Sequence, residues 1–224
     1  MLGFSVLFIM NGVEPSLAQA TAPGVPKLFL TWSSNTYVPP GFVGKIMPTA
    51  NSQITTSVEL IDDGKPINLS KQNVYWYVNN NFLSGGIGMQ NITFRAPEAT
   101  GGAIDLRVEV PNYSKGSQLK TIGVPIVAPE AVIEMPFPYG KFSSSPLQLV
   151  GQPYFFNAGT LSKLIMSWNV NGQTPTGAEN PQNLNVKFGQ TMQPGSTLSV
   201  SLSIKNITNQ YESALKTVTL IYNP

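Results

Sequence analysis

The sequence predicts an all-β protein: two tandem β-sandwich domains related by an internal repeat. Three observations predict it. First, one pattern occurs twice in unchanged order. Tyr75-Trp76-Tyr77-Val78-Asn79 returns as Ser167-Trp168-Asn169-Val170-Asn171, and Asn91-Ile92-Thr93-Phe94 returns as Asn185-Val186-Lys187-Phe188. The alternating run Leu106, Val108, Val110, Asn112 returns as Val200, Leu202, Ile204, Asn206, and Lys120-Thr121-Ile122 returns as Lys216-Thr217-Val218. The spacing drifts only from 92 residues at the tryptophans to 96 at the lysines, too long for a solenoid unit and right for a whole domain. Second, apolar residues alternate with polar ones in short runs, the period of a half-buried strand, and no stretch sustains a helical period. Third, Gly, Pro, Asn and Asp clusters separate those runs, as turns do.

The elements follow in order. Leu28, Leu30 and Trp32 alternate in an opening strand, which Pro39-Pro40-Gly41 interrupts as at a sandwich edge. Residues 54–61 form the next strand, closed by Asp62-Asp63-Gly64. Val74, Trp76 and Val78 face one way and Tyr75 and Tyr77 the other. Ile92 and Phe94 make a short strand; Ile104, Leu106, Val108 and Val110 alternate with Asp105, Arg107 and Glu109; Ile122, Val124 and Ile126 close the first domain. The second domain opens at residues 132–135, continues at 154–158, and has its tryptophan strand at Leu164, Met166, Trp168 and Val170. Strands around Leu184–Phe188, Leu198–Ile204 and Val218–Tyr222 complete it. The expected domains are residues 25–127 and 128–224, joined stiffly through the short Val127-Ala128-Pro129-Glu130 junction. Trp76, Trp168, Phe94 and Phe188 are the expected structural core.

The N-terminus reads as a targeting segment. Residues 2–10 are an apolar run and Ala18-Gln19-Ala20 is an A-x-A cleavage site, which predicts a signal peptide over 1–20 and a spacer over 21–24. The run is shorter than the roughly 20 residues a membrane span needs, so no membrane span is expected after its removal. The competing reading is a buried N-terminal strand.

Composition narrows the function classes. Of 224 residues only 11% are charged, 42% are hydrophobic, and 20 Gly and 19 Pro are present. The apolar fraction is high enough for a core in each domain. The net charge of +2 comes from 13 basic and 11 acidic residues with no basic cluster, which speaks against nucleic acid. There is no cysteine and no histidine, which removes disulfides, thiolate nucleophiles, the commonest general base and the commonest metal ligands. No cofactor is expected.

Two fragments of catalytic motifs are present. Ser117-Gln118-Leu119-Lys120 and Ser213-Ala214-Leu215-Lys216 both match S-x-x-K, the acyl-enzyme fragment of penicillin-recognising proteins, but the S-D-N and K-T-G partners are missing. Their matching places in the repeat favour a structural hairpin. Asp62-Asp63 lacks the alternating oxygen ligands of a calcium loop and reads as a turn. A hydrolase would need a carboxylate pair, and the acids are scattered. Four Asn-x-Ser/Thr triplets, at Asn68, Asn91, Asn112 and Asn206, matter only where a glycosylation machinery exists.

The tryptophan strand, the Asn-x-x-Phe strand and the long alternating strand together resemble bacterial tandem immunoglobulin-like surface repeats, the polycystic-kidney-disease-type (PKD-like) repeats among them. They are similar also to uncharacterised exported tandem Ig-like proteins of candidate-phylum bacteria. The resemblance covers most of residues 25–224 and implies an exported, non-catalytic binding, adhesion and spacing role at the cell envelope or surface. Two apolar loops are candidate binding sites. One is Phe82-Leu83 between Asn79-Asn80-Asn81 and Ser84-Gly85-Gly86; the other holds Phe137, Tyr139 and Phe142 within the Pro-rich segment 135–142. Loop aromatics stack on sugars or anchor protein partners, although the second segment reads first as a seal over the domain junction. Expected partners are a protein or glycan at the envelope, including a strand added to a free sheet edge. Alternatives are a two-domain periplasmic assembly chaperone and a carbohydrate-binding accessory module.

Overall fold

The computed structural model describes residues 24–175, 181–188 and 192–224; the predicted signal peptide over 1–20 lies outside them. Strands β1 (Lys27–Ser34), β2 (Gln53–Asp62), β3 (Lys65–Ile67) and β6 (Asn91–Arg95) form one sheet, in which β2 pairs antiparallel with each of the other three. Strands β4 (Asn73–Val78), β5 (Asn81–Ile87), β7 (Gly102–Val110) and β8 (Gln118–Ile126) form the facing sheet, in the order β5-β4-β7-β8. The second half repeats the plan. β9 (Glu130–Glu134), β11 (Leu147–Tyr154) and β13 (Asn183–Val186) form a three-stranded sheet. It faces β10 (Lys141–Phe142), β15 (Asn209–Tyr222), β14 (Thr197–Asn206) and β12 (Leu164–Val170), with β10 parallel to β15. The chain is thus two tandem immunoglobulin-like β-sandwiches. Among the described residues, helical geometry is confined to single 3-10 turns at Pro138–Gly140 and Leu161–Lys163.

The period-2 pattern decides what is buried. Val74, Trp76, Leu106, Val108 and Val110 enter one core with Ile54, Val58 and Leu60 from the facing sheet. Met166, Trp168, Val200, Leu202 and Ile204 enter a second core with Leu147, Leu149 and Leu184. Each fully buried side chain of this size contributes roughly 1.5–3 kcal/mol of apolar transfer. Both tryptophans are buried, and each indole N–H finds a carbonyl thirteen residues on: Trp76 Nε1 donates to Met89 O at 2.8 Å and Trp168 Nε1 to Pro181 O at 2.9 Å. The closing Asn of the motif is explained too. Asn79 and Asn171 take left-handed backbones (φ 49° and 48°), and their Oδ1 atoms accept from Asp105 N and Ser199 N, both at 2.9 Å. Asn tolerates that conformation better than most residues. Phe94 and Phe188 are half-buried and pack against the cores from their margins.

The structure departs from the sequence reading in four places. Residues 81–87, read as a loop, are the edge strand β5, because Asn79 and Asn80 (φ 49° and 65°) make a tight hairpin turn after β4. The strand expected at 154–158 lies earlier, at Leu147–Tyr154, since the left-handed Phe155 (φ 60°) ends the extended run. The excursion over 35–52, expected as a strand interruption, crosses to the second sandwich. Tyr37 N donates to Phe156 O and Phe155 N to Tyr37 O, both at 2.7 Å, and the Phe42 ring stands edge-on to Tyr154 and Phe155. That excursion covers the junction, while segment 135–142 lies at the far end of the second sandwich, where β10 meets the last residues of β15.

Candidate binding face

Alternation on β4 turns Trp76 inward and therefore Tyr75 and Tyr77 outward, onto the exposed face of the sheet β5-β4-β7-β8. The register places Phe82 opposite Tyr77 on one side and Arg107 opposite it on the other. The Phe82 ring stands edge-on to Tyr77 (5.7 Å between centroids) and to Tyr75 (6.3 Å). Gly85, opposite Tyr75, makes room: a Cβ there would lie 2.3 Å from Tyr75 Cδ1 and 3.0 Å from the Val74 carbonyl oxygen. The Arg107 guanidinium lies over the Tyr77 ring at 4.1 Å from its centroid, a cation–π contact that fixes the planar head. Its Nε is buried and has no hydrogen-bond partner among the described residues. Leu119, 56% exposed, borders the face beside Glu109. Two half-buried tyrosines and the exposed Phe82 around an arginine held over a ring have the composition of an interface anchor.

The sequence-predicted site residues separate. Phe82 and Leu83 are exposed (62% and 38%) on strand β5, where Phe82 joins Tyr75, Tyr77 and Arg107. The second cluster does not form a surface. Phe142 is only 4% exposed, packed on Phe137, Phe188 and Tyr222 because β10 carries it into the core. Phe137 is half-buried, and Tyr139 alone stands open (94% exposed) on a left-handed backbone. The tyrosine pair was visible in the sequence as two aromatics on the solvent side of the tryptophan strand, and residues 72–94 carry no charge at all. The partnership with Arg107 required the strand register.

The remaining polar clusters are structural. Asp63 and Gly64 (φ 49° and 75°) form the turn between β2 and β3. Buried Asp62 accepts from Lys115 Nζ at 2.7 Å and Tyr113 Oη at 2.5 Å, and Lys115 also reaches Asp63 at 3.0 Å. The hydrogen bonds from Lys115 and then Tyr113 hold the Asp62 carboxyl below its usual range; bonding to Asp62 raises Tyr113 and Lys115 above theirs. Among the described residues no three acidic, His or Cys side chains converge on a metal-sized site. Ser213 and Lys216 share β15, where residues three apart point to opposite faces, and Ser117 precedes β8, the strand that carries Lys120. A cleft of about 590 Å³ lies at the junction, lined by Thr49, Glu98, Tyr211 and Glu212 among others. Glu212 is engaged there, taking Asn157 N at 2.6 Å and Asn206 Nδ2 at 2.5 Å.

An all-β tandem of immunoglobulin-like sandwiches with an aromatic face is the class this structure defines. No protein-family model matches the sequence, and no curated protein matches it. Solved structures are similar at low identity. Three N-terminal domains of the highly immunogenic outer capsid protein Hoc of bacteriophage RB49 align with 88% of this chain and 59% of their own, at 11% identity and a TM-score of 0.45. The chain thus spans under two thirds of that structure's length. Fibronectin(III)-like modules of Clostridium thermocellum CbhA align over 87% of this chain and 94% of theirs (11% identity, TM-score 0.30). A C-terminal fragment of intimin, solved with the intimin-binding domain of its translocated receptor, aligns over 91% of this chain and 65% of its own (15% identity, TM-score 0.27). Among the described residues no helix is long and apolar enough to cross a membrane.

Proposed function

We propose that this chain is a non-catalytic binding and spacing module of the cell envelope or surface, exported by its N-terminal segment, with a protein as its partner. The observation that carries the reading is the Tyr75–Tyr77–Phe82–Arg107 face. Phe82 on it is exposed while Tyr75, Tyr77 and Arg107 are half-buried, ring contacts and Gly85 hold it in place, and among the described residues its arginine makes no hydrogen bond or ion pair. The proposed division into domains 25–127 and 128–224 is supported by two separate apolar clusters on either side of Val127. The segment crossing at Tyr37 and Phe42 supports the spacing role, because it ties the two sandwiches by a second contact besides the covalent junction. A glycan reading through Phe137, Tyr139 and Phe142 loses its support with the burial of Phe142.

The test is capture of envelope proteins on the immobilised chain, comparing wild type with Tyr77→Ala/Arg107→Ala. Both side chains point away from the core, and circular dichroism checks that the variant is folded. A genuine anchor pair costs about 2 kcal/mol or more, roughly a thirtyfold loss of affinity. Equal capture by wild type and variant refutes the face as the site. Protease shaving of intact cells tests location: peptides from 25–224 released before lysis support surface display, and release only after envelope disruption removes it.

A further inference from the structure

The contact between the two sandwiches turns on one peptide group. The excursion 35–52 is fastened to the first sandwich at its base. Thr36 Oγ1 donates to Met47 O at 2.7 Å, Gln53 N to Asn35 Oδ1 at 2.9 Å, and Lys45 Nζ to Trp32 O while lying over the Trp32 ring. The excursion is therefore a preformed arm whose tip reaches the second sandwich. There Tyr37 N donates to the Phe156 carbonyl at 2.7 Å. The N–H of that same peptide group, on Asn157, donates to Glu212 Oε1 at 2.6 Å. A trans peptide is planar, with its C=O and N–H directed opposite ways. One rigid plate is thus held by the arm on one side and by Glu212 on the other. The bond to a carboxylate is charge-assisted and polarises the carbonyl that Tyr37 meets. Glu212 is 7% exposed, its other oxygen takes Asn206 Nδ2, and among the described residues no cation pairs with it.

The seat of the arm is also strained. Phe155 has φ 60°, a left-handed backbone that an aromatic residue keeps only where its surroundings impose it. Those surroundings come from the other sandwich: Tyr37 O accepts the Phe155 N–H at 2.7 Å, and the Phe42 ring stands edge-on at 6.1 Å. When these contacts part, the strain goes with them. We infer that the junction is a latch and that Glu212 sets it, as a positioning residue acting through the Phe156–Asn157 peptide. With Glu212 on the Asn157 N–H, the plate is fixed, the arm is seated and the two sandwiches move as one body. With Glu212 withdrawn, the plate turns, Tyr37 loses its acceptor, Phe155 relaxes and the sandwiches swing about residues 127–130. Glu212 also lines the junction cleft with Thr49, Glu98 and Asn209, so the residue that sets the latch stands in the wall of an open groove. The inference rests on the spacing role proposed above and makes that spacer switchable. Its coupling is measured on the isolated chain, so it stands or falls apart from where the protein resides and what the aromatic face binds.

Amide hydrogen exchange of the purified chain, followed residue by residue by NMR, tests it. In Glu212→Ala the Tyr37 and Phe155 amides should exchange at least about fivefold faster, while the core amides of Val108 and Val200 keep their rates. Coupling is reciprocal, so Phe42→Ala, which removes a half-buried ring outside both cores, should accelerate exchange at Asn157 on the far side of the plate. Small-angle X-ray scattering should show a larger radius of gyration for both variants than for wild type. Tyr211→Ala is the control: this residue lines the same cleft at 88% exposure, and its loss should leave the Tyr37 rate unchanged. Should Glu212→Ala loosen the whole second sandwich, seen as faster exchange at Val200, Phe42→Ala alone decides. A wild-type rate at Tyr37 in folded Glu212→Ala, or at Asn157 in Phe42→Ala, overturns the inference and leaves Glu212 a local support of the second sandwich.

Discussion

Replacing Gly151 by alanine tests the claim that the second core is packed around its tryptophan without slack. Gly151 lies in β11 and its missing side chain faces the core: a Cβ there would stand 2.7 Å from Leu202 Cδ2, 2.9 Å from Met166 Cε and 2.9 Å from Trp168 Cζ2. All three distances are inside ordinary van der Waals contact. The Met166 methyl can swing aside at little cost. The indole cannot, because its N–H is bonded to Pro181 O at 2.9 Å and Gly151 N is itself tied to Gln182 O at 2.7 Å. Overpacking of this kind costs about 1–3 kcal/mol. The backbone at Gly151 is not left-handed, so alanine recovers about 0.4–1 kcal/mol by restricting the unfolded chain. The net expectation is a loss of about 1–2 kcal/mol, a fall of roughly 5–15 °C in the melting temperature of a domain this size. Urea denaturation followed by tryptophan fluorescence measures it. Gly123→Ala is the control: no atom lies within 4 Å of its Cβ position, so it should be neutral or slightly stabilising. A Gly151→Ala protein as stable as wild type would refute the packing argument.

Asn79→Ala and Asn171→Ala should each destabilise by about 1–2 kcal/mol, since each removes a bond to a backbone N–H and forces alanine into a left-handed backbone; thermal melts of the two variants should agree, and a neutral result at either would break the equivalence of the repeats. The Asp62 cluster should shape the pH profile of stability. Because the Asp62 pKa is lowered on folding, its contribution is present above the usual carboxylate value near 4 and fades as pH falls through the depressed folded one. Because Tyr113 and Lys115 are raised, theirs is present below about pH 10 and fades as pH climbs through the raised values. Asp62→Asn should therefore be less stable than wild type on the neutral plateau, with the gap closing at both extremes in urea titrations; a pH-independent gap would show that the cluster's charges do not contribute.

Strand after strand was legible where one face is buried, because alternation is then enforced residue by residue. Val74, Trp76 and Val78, and Leu106, Val108 and Val110, are such cases. β5 was not, for a physical reason. It is an edge with little core contact, so Asn81, Ser84, Gly85 and Gly86 read as loop, and only the Asn79-Asn80 turn makes it a strand. The 135–142 segment misled in the opposite sense: proline and glycine mark it as a loop, yet a two-residue pairing of β10 with β15 carries Phe142 inside. The binding face needed both kinds of information. Tyr75 and Tyr77 are visible in the pattern, but Arg107 stands beside Tyr77 only once the β4–β7 register is known.

The crossing of residues 35–52 onto the second sandwich has a consequence for how the molecule is made. Tyr37 and Phe156 are 119 positions apart in the sequence and directly bonded in space. A chain emerging from a ribosome or a translocation pore delivers Tyr37, Pro39 and Phe42 long before the surface that covers them. Through that interval the first sandwich can close its own core while this segment hangs in solvent, an apolar tether waiting for residues 154–156. Assembly is therefore completed backwards along the chain: the last part to arrive fastens one of the first.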